Sequence, residues 1–295
     1  MYGDLFARPL RFVRVSEIRI EGQEFWDRRA DAWERRADAI DSFSDTYGMA
    51  TMDALGLEPG EKVLDVGCGP GTSAVDLAAR VAPGGDVVGV DISPAMVAAA
   101  TRRAAAADVT NVRFVAADAQ TETLGGDFDA VYSRFGVMFF SDPVAAFANI
   151  GHSLRSRGRL ACAVWAQLAD NPWMFVPTLT AAPVLKADLT IPGPDEPGPF
   201  SLAEPHRVTA ILTQAGFADI RISAVTGSRL ITAATADDDV RILLEVGPLG
   251  EAYEAAEEAT RQAAVDAVLT AVEPYRDDAG WRLPGAALNV TAHWP

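Results

Sequence analysis

Residues 62–72, K-V-L-D-V-G-C-G-P-G-T, decide the fold of this 295-residue chain. The apolar run at residues 63–66 is typical of a strand that is buried on both faces. Gly67, Gly69 and Gly71 then remove side chains from a tight turn, which lets the backbone approach a ligand closely. The next residues, T-S-A-V-D-L-A-A-R-V, have the pattern of a helix that begins at a Thr or Ser. Strand, turn and helix together predict a nucleotide-type site at the carboxyl end of the first strand of an α/β sheet.

The glycine spacing distinguishes between the ligands that such turns bind. A dinucleotide fingerprint would place Gly or Ala at position 72, where this chain has Thr72. A phosphate-cradling loop would need a Gly-Lys-Ser/Thr tripeptide, which does not follow the turn. The pattern is instead D-x-G-x-G-x-G, beginning at Asp65. Because a carboxylate in a central strand is costly without a partner, Asp65 is expected to orient the turn or to reach the ligand.

Acidic residues also follow the next strands. D-V-V-G-V-D is typical of a second buried strand and ends in Asp91, and a third strand at residues 112–117 runs into Asp118. A fourth strand at residues 128–132 runs into Ser133. A carboxylate after the second strand can accept hydrogen bonds from both hydroxyls of a ribose. One such acid could simply cap a strand end, but acids at three successive strand ends favour a ligand site.

Residues 58–165 resemble the class I S-adenosylmethionine-dependent methyltransferases, whose motif I matches D-x-G-x-G-x-G. The stretches Y-S-R-F-G-V-M-F-F and N-P-W-M-F are most similar to the small-molecule group related to the ubiquinone and menaquinone C-methylating enzymes. The resemblance implies an α/β fold: a Rossmann-like, seven-stranded, mostly parallel sheet with helices on both faces, an antiparallel last strand at the sheet edge, and a helical and loop-rich cap. It also implies S-adenosylmethionine as cofactor, S-adenosylhomocysteine as product, and a small apolar or aromatic acceptor.

The resemblance further implies a set of cofactor-binding residues. Asp91 would hold the ribose hydroxyls, Asp118 and Ala119 would meet the adenine, and the end of the fourth strand would lie beside the methionine part. Cys68 is interpreted as a small filler of the turn and not as a nucleophile. The implied residues are Asp65, Gly67, Cys68, Gly69, Gly71, Thr72, Asp91, Ile92, Met96, Asp118, Ala119 and Ser133.

We divide the chain into an N-terminal arm and helical cap at residues 1–57, a cofactor-binding core at 58–165, a lid at 166–200, and a completion of the sheet with extra helices at 201–295. Residues 1–20 are irregular and are interpreted as a surface arm, a poorly ordered end or an artefact of the start site. In the helical pattern of residues 21–57, Trp26, Trp33 and Tyr47 are candidates for a roof over the cofactor, or else pack this segment on the core.

Residues 167–200 contain seven prolines, so a plain helix or strand is not expected there. In this architecture, an insertion after the fifth strand lies over the reactive end of the cofactor, and long functional loops commonly form lids. The alternative is that its aromatic residues only pack the insertion onto the sheet. The predicted acceptor-binding residues are Phe139, Trp165, Asn171, Trp173 and Phe175.

The C-terminal part is expected to contain a helix, a strand, two helices and a closing strand. A capping box formed by Ser201 and Glu204 predicts where the first helix begins. The last two helices are expected to lie beside the lid or to form a dimer contact. The predicted bounds are 201–214, 217–225, 237–246, 250–272 and 286–293.

Few residues suggest chemistry beyond cofactor binding. The three histidines are far apart in sequence, which argues against a metal site, and no G-x-S-x-G elbow is present. Methyl transfer from a sulfonium mainly requires alignment and exclusion of water, and needs a base only when the attacking atom loses a proton. Asp142, Arg134, Tyr132 and His206 are weak candidates for assisting groups, and the catalytic residue stays unassigned. This favours an amine, an activated carbon or an acidic phenol over an aliphatic alcohol.

Composition limits the partners. The formal net charge of −16 and pI near 4.5 would repel nucleic acid. No run of 18 apolar residues and no signal-like N-terminus are present, and two cysteines form no disulfide framework. We expect a cytoplasmic protein that takes a small-molecule acceptor, does not insert into membranes and could form a homodimer.

Two other functions stay open at this point. A nicotinamide-dependent oxidoreductase shares the strand, turn and acid, but Thr72 and the insertion after the fifth strand disfavour it. A protein that binds S-adenosylmethionine without catalysis would carry the same turn and need no base.

Overall fold

The computed structural model describes residues 22–189 and 191–295, which are built around one mixed sheet. Across the sheet the strands follow the order β3-β2-β1-β4-β5-β8-β6, with β7 paired on β8. Strands β1 to β5 pair in parallel, whereas β8 is antiparallel to both of its neighbours. The predicted arm at residues 1–20 lies outside the described residues. The strands are β1 Lys62–Val66, β2 Asp86–Asp91, β3 Val112–Ala116, β4 Phe128–Arg134, β5 Leu154–Trp165, β6 Ala218–Thr232, β7 Arg276–Asp277 and β8 Gly280–His293.

Helices cover both faces of the sheet, and the alternation of side chains along β1 shows why. Val63 packs in a core with residues of α2 and α3, whereas Leu64 and Val66 point to the opposite core, which contains residues of α5 and α7. The helices of the described residues are α1 Gln23–Arg35, α2 Ala37–Leu55, α3 Thr72–Val81, α4 Pro94–Ala106, α5 Pro143–Ser153, α6 Pro172–Val184, α7 Pro205–Ala215, α8 Ala236–Val246, α9 Gly250–Ala255 and α10 Glu258–Ala271.

The predicted Rossmann-like architecture is confirmed, with two corrections to the sheet. It has eight strands instead of seven, because the two-residue β7 adds to the edge of β8. The last strand also does not lie at the sheet edge: β8 is inserted between β5 and β6. The burial patterns give the reason, since β8 buries Leu288, Val290 and Ala292 whereas most of β6 is exposed or half-buried and tolerates the edge.

Strands β6 and β8 continue past the parallel part of the sheet. The pairing of β5 with β8 ends at Trp165 and Ala287, whereas β6 and β8 pair with each other for seven more positions, from Thr226 opposite Ala286 to Thr232 opposite Gly280. We call residues 226–232 and 280–286 the extension. The predicted strands missed it because Gly and Pro within it are typical breakers.

Helices α6, α8, α9 and α10 pack around the extension and form a second core with it, which we call the cap core. Its extension residues are Ile231, Trp281 and Leu283. Helix α6 corrects the prediction that residues 167–200 contain no plain helix. Pro172 begins this helix, where a missing N–H costs nothing, and Pro177 and Pro183 are tolerated inside it because the helix is packed against α10.

Other predicted boundaries also shift. The helical pattern at residues 21–57 is split at Arg36 into α1 and α2, and that at residues 250–272 is split into α9 and α10. The predicted capping box is wrong, because α7 begins at Pro205, and the Ser201 hydroxyl donates instead to the carbonyl oxygen of Met138 at 2.6 Å.

Candidate functional site

A cavity of about 1040 Å³ lies over the carboxyl ends of β1, β2 and β4. Its floor is the turn between β1 and α3 together with the residues that follow β2, β3 and β4. Helices α1, α2, α6, α8 and α9 contribute the roof and walls. This is the position in an open α/β sheet where ligands bind, since the strand ends expose backbone and side chains there.

The glycine turn is part of the cavity floor, and its backbone conformation explains why glycines are needed there. Gly67, Gly69 and Gly71 all have positive φ angles, of 68°, 52° and 90°. A Cβ at Gly67 would lie 2.7 Å from the Cα of Gly136, so this glycine is also needed for close packing. A Cβ at Gly69 would meet nothing within 4 Å, because this residue borders the cavity. The turn therefore presents bare backbone to a ligand.

Asp91 lines the cavity at the end of β2, with both carboxylate oxygens already held by backbone amides. The N–H of Gly69 donates to Oδ2 and the N–H of Ser93 donates to Oδ1, each at 2.9 Å. Burial raises the pKa of Asp91 to about 6, although both amide hydrogen bonds lower it. Each oxygen keeps a lone pair that can accept a further hydrogen bond. Ile92 and Met96, which follow Asp91 in the chain, also line the cavity.

Asp118 and Ala119 line the cavity after β3. The carboxylate of Asp118 accepts hydrogen bonds from the N–H of Gln120 and the hydroxyl of Thr121, both at 2.9 Å. These bonds orient the carboxylate, which can still accept another donor. The structure therefore brings Asp118 to the same cavity as Asp91.

Three of the predicted cofactor residues lie behind the cavity wall. Asp65 is fully buried, accepts a hydrogen bond from the Ser73 hydroxyl at 2.6 Å, and has a pKa that burial raises to about 7. Gly71 packs against Ala100 of α4. The Ser133 hydroxyl donates to the carbonyl oxygen of Val66 at 2.7 Å and is fully buried. These residues shape the turn from behind.

Cys68 and Thr72 do line the cavity. Burial raises the pKa of the Cys68 thiol well above its usual value, so the side chain is a neutral filler. Thr72 donates its hydroxyl to Asp41 at 2.7 Å, and Asp41 also accepts from Arg134 at 2.6 Å. Arg134 reaches Asp45 as well, at 2.8 Å. Reasoning from sequence missed this network, because α2 approaches β4 only in the folded chain.

Of the predicted acceptor residues, some line the cavity and others lie outside it. Phe139, Trp165 and Trp173 line the cavity. Asn171 is buried outside it, where its side-chain amide donates to the carbonyl oxygen of Ala286 and its oxygen accepts from the Trp173 indole. Phe175 lies outside it as well, beside a separate cavity of about 60 Å³.

Aromatic rings form the apolar wall of the cavity. Phe135 stacks on Trp165 with ring centroids 3.8 Å apart, and the ring centroids of Phe43 and Trp173 are 4.3 Å apart. Of the predicted roof residues, Trp26 and Trp33 line the cavity, and Trp26 packs edge-on against Phe139 with centroids 5.0 Å apart. Tyr47 packs behind this wall, edge-on against Trp165. This wall is suited to a flat apolar ligand.

The weak candidates for an assisting group are occupied elsewhere. The Asp142 carboxylate caps α5, the Tyr132 hydroxyl donates to the carbonyl oxygen of Gly48, and His206 is exposed. Arg134 reaches the cavity but is bound to carboxylates. Within residues 22–189 and 191–295, no His, Lys or Tyr side chain lines the cavity.

The described residues contain neither a metal-binding cluster nor a membrane-spanning helix. No group of three or more His, Cys, Asp and Glu side chains is arranged to hold a metal ion. None of the described helices combines the length and apolar character needed to cross a bilayer.

The part of the chain that contains the cavity floor is similar to known proteins. Residues 63–158 match a family described as a methyltransferase domain. The chain is similar to demethylmenaquinone methyltransferase of Beutenbergia cavernae, with 42% identity over 125 residues that cover 42% of this chain and 48% of that protein. It is also similar to aklanonic acid methyltransferase of a Streptomyces species, with 36% identity over 103 residues that cover 35% of this chain and 47% of that protein. The matches thus span less than half the length of these two curated relatives.

The fold is similar to a solved structure of phosphoethanolamine N-methyltransferase 2 of Haemonchus contortus in complex with phosphomonomethylethanolamine and S-adenosylhomocysteine. The TM-score is 0.54 with 18% identity, and the likeness covers 96% of this chain and 61% of that one. At this identity it concerns the fold alone. The segment matched by the family contains the glycine turn, Asp91 and Asp118, which are the residues that form the cavity floor.

Proposed function

We propose, from the premise that residues 63–158 are a class I S-adenosylmethionine-dependent methyltransferase domain, that this chain binds S-adenosylmethionine in the cavity and methylates a small apolar acceptor. The family match confirms the resemblance predicted from the sequence at the level of this domain. The observation that carries the proposal is the pairing of the bare glycine turn with Asp91, whose carboxylate is held by amides on both oxygens.

The residues of the cavity fit this cofactor. Asp91 presents a carboxylate that can accept hydrogen bonds from two neighbouring hydroxyls. Gly67 and Gly69 would lie against the methionine and ribose end, and Asp118 and Ala119 against the adenine. Asp65 supports the turn from behind through Ser73, and its second carboxylate oxygen has no hydrogen-bond partner among the described residues.

S-adenosylmethionine supplies, when bound, a methyl group activated by its sulfonium. The chain's own residues then have to hold an acceptor in line and exclude water. Phe43, Phe135, Trp165 and Trp173 can do both, because rigid rings position a flat molecule and leave little room for solvent.

The aromatic wall of the cavity and the names of the relatives both support a class of acceptor. The matched proteins are named for demethylmenaquinone and aklanonic acid, which are small molecules. A cavity of about 1040 Å³ with aromatic walls can hold a molecule of that size beside the cofactor. We propose an apolar, aromatic acceptor of this kind for this chain.

Replacing Asp91 tests the cofactor assignment. Asp91→Asn should weaken the binding of S-adenosylhomocysteine by roughly 10- to 100-fold, because a hydrogen bond to a charged group contributes about 1.5–3 kcal/mol. Asp86→Asn is a matched control, since Asp86 is exposed at the other end of β2. Calorimetric titration would measure both, together with NAD as a second ligand for the unchanged protein.

The results separate this proposal from its rivals. Binding of NAD without S-adenosylhomocysteine would overturn the assignment and favour an oxidoreductase. Equal affinities for the Asp91→Asn variant and the unchanged protein would also contradict it. S-adenosylhomocysteine binding without methyl transfer to any aromatic acceptor tested would instead favour a non-catalytic binding protein.

The remaining partners are part of the same proposal. We propose that nucleic acid is not a substrate, which the net charge of −16 supports because phosphates would be repelled. The homodimer and the cytoplasmic location stay predictions. Sedimentation of the purified protein across a range of concentrations would test the homodimer.

A further inference from the structure

Arg229 is a buried cation in the cavity wall. It lies on the β6 strand of the extension, opposite Leu283 of β8, and is only 7% exposed while still lining the cavity. A guanidinium removed from water loses much of its solvation, and buried charges are normally paired. Burial lowers the pKa of Arg229, and Asp239 raises it only in part.

The guanidinium of Arg229 has one protein acceptor. Its Nη1 donates to the carbonyl oxygen of Ala39 at 2.8 Å, and its Nε is buried with no hydrogen-bond partner among the described residues. Asp239 forms no ion pair with it, and the Oδ2 atom of Asp239 accepts instead from the N–H of Thr232 and the hydroxyl of Thr235. Nη2 has no protein acceptor among the described residues either, and unlike Nε it is not closed off from solvent. A guanidinium N–H that is open to a cavity can donate a charge-assisted hydrogen bond to a carboxylate oxygen.

The other arginines of the cavity differ from Arg229. Arg134 is bound to Asp41 and Asp45, and Arg29 donates to Glu251 at 3.3 Å. Among the arginines that line this cavity in the described residues, Arg229 is the one that forms no ion pair with a carboxylate. Its missing partner is thus expected to come from a ligand.

The surroundings of Arg229 indicate which ligand this is. Its guanidinium lies 5.8 Å from the centre of the Phe43 ring, and Phe43 in turn packs on Trp173 and Trp165. The arginine is held by α2 and β6, whereas the glycine turn and Asp91 lie at the ends of β1 and β2. The cation is thus placed beside the aromatic wall that we assign to the acceptor.

We propose that the acceptor is an aromatic or otherwise apolar molecule that carries a carboxylate, and that Arg229 binds this carboxylate through Nη2. This inference rests on the proposed function, and makes Arg229 a specificity-determining residue of the same cavity. A monoanion matches a single buried cation, whereas a phosphate dianion would leave an uncompensated charge.

Matched acids and amides test this proposal with the protein saturated with S-adenosylhomocysteine. The probes are benzoate, 2-naphthoate and 2-anthroate, each compared with its neutral carboxamide by calorimetric titration. The unchanged protein should bind at least one acid about tenfold or more tightly than the corresponding amide, because the amide cannot supply the charge that Arg229 lacks. Arg229→Met should reduce that preference to less than about twofold, and Arg229→Lys should keep part of it.

Two controls keep the result specific. Arg221→Met removes an exposed arginine from the same strand and should leave the preference unchanged. Arg229→Met should bind S-adenosylhomocysteine within about twofold of the unchanged protein, which also shows that the variant is folded. A large loss of S-adenosylhomocysteine affinity in a folded Arg229→Met variant would mean that Arg229 holds the cofactor, and would overturn the proposal.

The outcomes distinguish this inference from the proposed function. If S-adenosylhomocysteine does not bind the unchanged protein, the proposed function fails. If it binds but no acid is preferred over its amide, only the role of Arg229 fails. An acid preference that survives in Arg229→Met would likewise overturn it.

Discussion

At the scale of single residues, the buried Asp65 and the half-buried Asp91 support the glycine turn from opposite sides. Asp91 faces the cavity and is held by the amides of Gly69 and Ser93. Asp65 faces α3 and is held by Ser73. Burial raises the pKa of each, to about 6 for Asp91 and about 7 for Asp65. The carboxyl that faces the cavity thus has a pKa just below neutral pH.

Binding of S-adenosylhomocysteine should therefore depend on pH through Asp91. The ionised carboxylate accepts two hydroxyl hydrogen bonds, so a proton on Asp91 competes with the ligand. With a pKa of about 6 in the ligand-free protein, affinity should be constant above that pH and fall below it, by up to about tenfold per pH unit. Calorimetric titrations between pH 5 and 8 would measure this.

Asp65→Asn provides the control for this pH profile. It removes the other raised carboxyl of the turn and should keep the fall in affinity below about pH 6. An affinity that is flat from pH 5 to 8, or a fall that disappears in Asp65→Asn, would show that Asp91 is not the titrating group that the ligand contacts.

At the scale of elements, α1 covers the cavity and is held mainly by charged side chains. Its Asp27 accepts from the Ser93 hydroxyl after β2, and Glu34 pairs with Arg102 of α4. On the other side, Arg35 and Arg36 both bind Glu245 of α8, each with a closest distance of 2.9 Å. Few of its residues are fully buried, so α1 is expected to open more easily than the helices packed on the sheet.

Glu245→Gln should loosen this helix. Burial acts to raise the pKa of Glu245, but hydrogen bonds from Arg35 and Arg36 outweigh it and hold the pKa below its usual value. Its side chain is 11% exposed, so losing its charge should cost roughly 1 kcal/mol and speed amide hydrogen exchange in residues 23–36 about fivefold.

Glu254→Gln is the matched control for α1. Glu254 approaches the same Arg35 at 3.9 Å, but both side chains are 56% exposed, so its loss should change exchange little. Equal effects of the two substitutions, or faster exchange spread over the whole sheet in Glu245→Gln, would contradict the conclusion that the ion pairs of Glu245 hold α1 in place.

At the scale of the whole molecule, two cores share two strands. The core on the face of α5 and α7 includes Leu288 and Val290 of β8, whereas the cap core includes Trp281 and Leu283 of the same strand. Strands β6 and β8 run without a break from one core into the other. The cap core therefore cannot unfold without disturbing the sheet. The aromatic wall and the floor of the cavity are thereby held in one cooperative unit.

Leu283→Ala should lower the stability of the whole protein and leave a single unfolding transition. Leu283 is fully buried in the cap core, and a Leu to Ala change in a core costs about 2–5 kcal/mol. Denaturant unfolding followed by tryptophan fluorescence and by far-UV circular dichroism should give coincident midpoints. Leu288→Ala, in the core of the sheet, should behave in the same way. Two separate transitions in Leu283→Ala would show that the cap core unfolds independently of the sheet.

The sequence by itself determined the Rossmann-like core and the floor of the cavity. The glycine turn, Asp91 and Asp118 were predictable because strand periodicity, turn glycines and strand-end acids are local signals, and parallel strands bring their carboxyl ends together. The resemblance carried by the same residues named the domain, as the family match at residues 63–158 confirms.

Only the tertiary structure decided what covers that floor. Helix α6 forms despite its prolines because packing against α10 overrides local propensity. The place of β8 between β5 and β6 depends on which faces are buried, and not on the pattern of one strand. Arg229 could not be predicted as a site residue, because its role depends on a partner that α2 and the extension fail to supply. Whether a charge is paired is a property of the assembled chain, and no local sequence signal reports it.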